Sequence, residues 1–164
     1  MAVSWWRSKD APSGLVPDVG LISYATGEPK SMRPESSNSQ THVFYFFAPW
    51  CGICQQTANS SYVSMTRHQG VTVTFIALDF DSKAEVKVFV DRHLRDVRSS
   101  DIYFGDDSVK AAWSVKAYPT YAFVDRDRNV SSLSVGYVLP FVMWAKLKWM
   151  HLGQVQSKML GHLK

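Results

Sequence analysis

From His42 to Ala48 the chain reads His-Val-Phe-Tyr-Phe-Phe-Ala, and Pro49 ends the run. A stretch so nearly apolar fits a strand that is covered on both faces, the setting of a central strand in an α/β sheet. Directly behind it come Trp50 and two cysteines at Cys-x-x-Cys spacing, Cys51-Gly52-Ile53-Cys54. A helix is expected to begin beneath them. At its start Cys51 would meet unpaired backbone N–H groups and the positive end of the helix dipole, which lower a thiol pKa below its free value of about 8.5. Cys51 is then the attacking sulfur. Cys54, one turn on and shielded by the helix, is placed to close on Cys51 and release a reduced partner, or to accept the bond in the reverse direction.

These are the only two cysteines, so they cannot form a long-range staple. A pair this close makes a small, reactive loop suited to exchange. Structural zinc needs about four ligands. His42, His68, His93, His151 and His162 supply no H-x-x-x-H pattern, and there is no second Cys-x-x-Cys. Haem attachment would need His after Cys54, where Gln55 stands. Copper(I) held by the two thiolates stays open as an alternative. The expectation is no metal site and no cofactor beyond a redox-active disulfide between Cys51 and Cys54.

The rest of the chain supplies strands and helices around this centre. Val19 to Tyr24 forms a short strand, a turn follows at Gly27-Glu28-Pro29, and Arg33 to Thr41 is a polar loop. The helix after Cys51 is rich in modest helix formers, yet Cys54, Ala58, Tyr62 and Met65 make a buried stripe. Val71 to Leu78 is the second central strand, entered through Gly70. Ser82 and Glu85 form a capping box for a helix whose apolar positions are Val86, Phe89, Val90 and Leu94. Asp106-Asp107-Ser108 caps a short helix reaching Trp113, and Tyr121–Val124 with Val130–Tyr137 makes an antiparallel hairpin, with Gly136 placed for close backbone approach. Pro140 opens a last amphipathic helix with Phe141, Trp144, Leu147 and Met150 buried and Lys146 and Lys148 outside.

The aromatic strand with Ala48-Pro49-Trp50-Cys51-Gly52-Ile53-Cys54, then Tyr118-Pro119-Thr120 before the strand Tyr121 to Val124, resembles the thioredoxin superfamily. The order after the cysteines is similar to its TlpA-like and ResA-like branch: Ile76-Ala77-Leu78-Asp79-Phe80-Asp81, a charged helix, an Asp-rich turn before Ala111-Ala112-Trp113, and Phe123-Val124-Asp125-Arg126-Asp127. That resemblance implies an α/β thioredoxin fold, a central mixed sheet flanked by helices with an N-terminal strand extension. It also implies a cis proline at Pro119 facing the cysteines, with Tyr118 and Pro119 contacting the substrate chain beside Trp50, Gly52 and Ile53. Two family features are missing. The buried acid six residues before the first cysteine is replaced by Tyr45, and the Glu three residues after the second is replaced by Thr57. Asp79 is the nearest acid, with loop capping as its expected role.

The branch is tethered to bacterial membranes and faces the periplasm or outer side, so partners implied are protein thiols and disulfides and a membrane redox partner. Trp5-Trp6-Arg7 reads either as the border of a membrane anchor missing from this chain or as a flexible tail that happens to hold tryptophans. No apolar run of about 18 residues crosses a membrane. The net charge of +4 comes from scattered Lys and Arg, which argues against nucleic acid. At 164 residues one domain is expected: an arm over 1–15, a thioredoxin-like domain over 16–152 and a loose tail over 153–164, acting as a monomer. Three readings compete: a thiol–disulfide oxidoreductase for extracytoplasmic proteins, a copper(I)-binding module, and a thioredoxin-fold interaction protein with idle cysteines.

Overall fold

A computed structural model of the chain describes residues 12, 14–33 and 41–161, with side chains left undescribed at 151 and 153–161. The expected anchor border at Trp5-Trp6-Arg7 and nearly all of the polar loop before Thr41 lie outside the described residues. In chain order the strands and helices are β1 (Gly14–Leu15), β2 (Gly20–Ser23), β3 (Pro29–Ser31), β4 (Thr41–Phe47), α1 (Gly52–Thr66), β5 (Val71–Ala77), α2 (Lys83–His93), β6 (Ile102–Phe104), α3 (Asp107–Ala112), β7 (Thr120–Val124), β8 (Asn129–Val135) and α4 (Pro140–Gly161). The strands join one mixed sheet in the order β1-β8-β7-β4-β5-β6-β2-β3. The chain therefore has an α/β thioredoxin fold, with the N-terminal strands reaching both edges of its sheet.

β4 sits in the middle, parallel to β5 and antiparallel to β7. Strand alternation sends Val43, Tyr45 and Phe47 to one core and Phe44 and Phe46 to the other. The first core is closed by α1, α2 and α4, through Cys54, Ala58 and Met65, Val86 and Phe89, and Met143 and Leu147. The second is closed by Val109 of α3, Trp113 and the N-terminal residues Val16, Leu21 and Met32. Covering both faces explains why β4 carries no polar alternation. The consequence is a rigid strand leading into the cysteines.

Local chemistry sets the helix ends. Ser82 Oγ accepts the Glu85 amide as N-cap of α2, and Glu85 answers by accepting the amide of Asp81. Asp106 caps α3 through the amides of Ser108 and Val109. In α1, Thr57 and Thr66 return their hydroxyls to carbonyls four residues back, so poor helix formers satisfy themselves on their own helix. Its buried residues are Cys54, Ala58, Ser61 and Met65, with Tyr62 only partly covered. Gly70 turns the chain into β5 at φ +74°, a region that glycine enters without a Cβ penalty.

Several expectations change. β3 extends a predicted turn into a strand, and β6 is a strand too short to show a periodic signal. α4 buries Met143, Leu147 and Met150, while Phe141 is 68% and Trp144 49% exposed. Apolar residues lie on two sides of α4, and the set spaced 143, 147 and 150 is the one turned to the core. Lys146, expected outside, is half-buried, donating to Ser134 Oγ and lying over the Phe123 ring. α4 also continues to Gly161, past Gly153, where a loose tail is expected. No helix among the described residues is long and apolar enough to cross a membrane.

Candidate functional site

Pro49 ends β4's extended course, and the chain turns so that the Cys51 amide donates to the Ala48 carbonyl. Cys51 becomes the N-cap of α1: its backbone stays extended and its sulfur accepts the Cys54 amide at 3.2 Å. This amide and the positive end of the helix dipole interact favourably with negative charge on sulfur. Cys51 is 7% exposed and Cys54 0%, and both are thiols. One sulfur therefore lies at the rim and the other directly behind it.

The rim is organised by Asp79. Its carbonyl accepts the Trp50 indole N–H at 2.8 Å, and its carboxylate accepts from Lys110 at 2.6 Å and from the Tyr118 hydroxyl at 2.9 Å. Partial burial alone would raise the Asp79 pKa, but those two hydrogen bonds and the Lys110 charge hold it below its ordinary value. Its backbone is left-handed, at φ +49°, a conformation that Asp tolerates better than most residues. Trp50 and Tyr118 meet edge to face at 5.7 Å. Asp79 thus braces the two aromatic residues beside the cysteines, its carboxylate taking two side-chain donors where loop capping is expected.

The Tyr118–Pro119 peptide bond is cis, and Pro119 is buried with its carbonyl accepting the Gly136 amide at 2.8 Å. Gly136 takes φ +85° with open space where a Cβ would point. Its turn geometry, and not the expected close approach, is what calls for glycine there. Trp50 is 64% exposed, and Gly52 and Ile53 are also exposed. With half-buried Tyr118 these residues form an apolar shelf around Cys51. Of the predicted substrate-contact residues, Trp50, Gly52, Ile53 and Tyr118 reach the surface, and Pro119 lies buried behind Tyr118.

Behind Cys54 the surroundings differ. Tyr45 and Tyr121 are fully buried, edge to face at 4.9 Å. Tyr121 shares a 3.0 Å hydrogen bond with Ser61, whereas the Tyr45 hydroxyl forms none. Its polar neighbours are the Tyr121 hydroxyl, the Cys54 thiol and Thr57. Burial pushes the Cys54 pKa up, and the bond and charge of Cys51 push it further, while the Ala48 backbone and the Tyr45 hydroxyl draw it partly back. Burial also pushes the Tyr121 pKa to about 12 and keeps Tyr45 and Tyr118 neutral. Sequence reasoning misses Ser61 and Tyr121, because Tyr121 meets Cys54 and Ser61 only where α1 crosses the sheet. Among the described residues no three His, Cys, Asp or Glu side chains gather as a metal cage. The soft ligands at this site are the two cysteine sulfurs.

No curated protein sequence matches the chain. Solved structures share its fold. DsbF from Mycobacterium tuberculosis, described in mixed oxidised and reduced forms, aligns with a TM-score of 0.68 and 25% identity over 81% of this chain and 95% of that one. A thiol:disulfide interchange protein described as DsbE, from Chlorobium tepidum, gives a TM-score of 0.63 and 22% identity over 87% and 97%. A secreted M. tuberculosis disulfide oxidoreductase, described as homologous to E. coli DsbE, gives 0.54 and 21% over 74% and 84%. These neighbours share the thioredoxin fold expected from the sequence. The family model described as Redoxin matches residues 11–140. With its Cys-x-x-Cys pair at the head of α1, the chain belongs to the Redoxin family as a thiol–disulfide oxidoreductase of thioredoxin fold.

Proposed function

We propose that this oxidoreductase exchanges disulfides with cysteines of extracytoplasmic proteins, with Cys51 attacking and Cys54 resolving. The observation that carries the reading is the asymmetry of the pair: Cys51 caps α1 at the rim, and Cys54 lies one turn behind it with no exposed surface. In the reducing direction the Cys51 thiolate attacks a partner disulfide, forming a mixed disulfide and releasing one partner thiolate. Cys54, once deprotonated, attacks Cys51 Sγ. The Cys51–Cys54 bond forms, the second partner sulfur leaves with its electron pair, and the partner has gained two electrons. The oxidising direction runs these steps backwards.

The partner chain rests on the shelf of Trp50, Gly52, Ile53, Tyr118 and Pro119. Exposed apolar surface on Trp50 and Ile53 supplies open contact area of the kind that suits a polypeptide. The secreted neighbour from M. tuberculosis supports an extracytoplasmic location. A membrane redox partner and an anchored full-length form complete the proposal, with the protein acting as a monomer.

Equilibration in thiol and disulfide buffers tests the reading. A two-electron couple near about −270 mV marks a reductant that needs an electron supply, and one near about −120 mV marks a donor of disulfides. Failure to cycle as such a couple removes the exchange reading, and copper(I) titration then tests the two sulfurs as a metal site.

A further inference from the structure

The Tyr45 ring packs against Phe47, Phe75 and Tyr121, with centroids 6.4, 4.7 and 4.9 Å away. For that packing alone phenylalanine would serve. The hydroxyl is buried with no hydrogen bond, a rare and costly arrangement in a core. Such an orphan polar atom calls for a role.

Its surroundings narrow that role. The Tyr121 hydroxyl is already engaged with Ser61, and the Thr57 hydroxyl donates to the Ile53 carbonyl at 2.7 Å. The Tyr45 O–H is left uncommitted in the same buried core cluster as the Cys54 thiol. The titratable groups facing Cys54 are Cys51 on α1, Tyr45 on β4, Tyr121 on β7 and Tyr118 before it. None is a carboxylate, since Asp79 is tied to Lys110 and Tyr118 at the rim. Resolution therefore asks a buried thiol to become an anion with no charged group behind it.

We propose that the Tyr45 hydroxyl donates the hydrogen bond that stabilises the Cys54 thiolate as it attacks the mixed disulfide on Cys51. The proposal rests on the exchange reading above. Tyr45 keeps its own proton, because burial holds the phenol neutral far above any working pH. It acts as a donor and never as a base. The proton lost by Cys54 passes to the departing partner thiolate or to water, the Cys54–Cys51 bond forms, and the Cys51–partner bond breaks.

An aromatic disulfide that releases a coloured thiol separates the two steps. Reduced protein mixed with Ellman's reagent in a stopped-flow cell gives one release when Cys51 attacks and a second when Cys54 resolves. In Tyr45→Phe the first phase should stay within about twofold, and the second should slow by about tenfold, the effect of losing a hydrogen bond to a charged group. The pH at which the second phase reaches half its maximal rate should rise by about one unit. An unchanged second phase and pH profile in a folded Tyr45→Phe protein overturns the proposal. A wild-type protein with no second release overturns the exchange reading itself, so the two failures are distinct. A further measurement needs no change at Tyr45: in Cys51→Ala the tyrosine Raman doublet should report a stronger phenol donor as Cys54 ionises. A doublet that stays constant through that titration also overturns the proposal.

Discussion

The two sides of the cysteine pair are built from different chemistry. On the rim, Asp79, Lys110, Trp50 and Tyr118 are joined by hydrogen bonds that include a full ion pair. Behind Cys54, the buried hydroxyls of Tyr45, Ser61 and Tyr121 gather with partly buried Thr57 at their edge, and the Tyr45 hydroxyl is unpaired. Charge is thus kept where solvent can screen it, and the buried side meets an anion with neutral dipoles, the Ala48 backbone and the Tyr45 hydroxyl. A buried carboxylate would be a proton acceptor that must be desolvated. A phenol avoids that cost and gives up the ability to take the proton.

The sharpest break of this contrast exchanges each sulfur for oxygen. Cys51→Ser should lower turnover by roughly a thousandfold or more, since no other side chain at the site supplies the nucleophile. Cys54→Ser should keep the attack and lose the release, so the mixed disulfide accumulates and is seen by mass spectrometry of the intact protein. Reversed behaviour of the two variants would invert the assignment of front and back. With Cys54 raised by burial, the release step in the natural protein should accelerate as pH rises above the ordinary thiol range, whereas protein stability moves the other way. A thiol whose folded pKa lies above its unfolded value contributes stability below the unfolded pKa, and that contribution is lost as pH rises toward the folded one.

A second test concerns the hydroxyl side alone. Ser61→Ala leaves the Tyr121 hydroxyl buried without its 3.0 Å partner. The cost should be about 1–3 kcal/mol in denaturant unfolding of the reduced protein. Replacing both, as Ser61→Ala with Tyr121→Phe, should recover most of that loss, because no polar atom is then stranded. A double variant as weak as the single would place the effect in packing.

How much of this was legible before the structure depends on distance along the chain. The unbroken apolar character of Val43 to Ala48 announces a strand between two cores, and Ser82 with Glu85 and Asp106 with Ser108 announce helix starts through local hydrogen bonds. The cysteines are legible because their spacing is itself the chemistry. α4 is not, since Phe141 and Trp144 fit helical spacing as well as Met143 and Leu147 do, and only the sheet beneath decides which set is covered. β6 has three residues, too few for a period. The hydroxyls behind Cys54 come from β4, α1 and β7, so their meeting depends on the α1 crossing and on β4 pairing with β7. Asp79 reaches Tyr118 across 39 positions, a contact that no local pattern encodes.

The smallest expected effect is at that rim carboxylate. Asp79→Asn keeps an oxygen able to accept from Tyr118 or Lys110 and leaves the carbonyl that holds Trp50 in place. It removes one charge from an ion pair that is partly open to water, where such pairs contribute little. Exchange by stopped flow should therefore slow by less than roughly tenfold, in line with the modest worth of a screened pair. The pH dependence identifies the cause. Because the Asp79 pKa is lowered on folding, its contribution to stability is present above the unfolded carboxylate value and fades as pH falls through the folded one. Wild type should then be more stable than Asp79→Asn at neutral pH, with the gap closing in acid. A much larger kinetic loss would move the proton-transfer role to the rim and contradict the division between charged front and neutral back. A gap that persists in acid would show that Asn disturbs the left-handed turn at position 79, a packing effect that leaves the division intact.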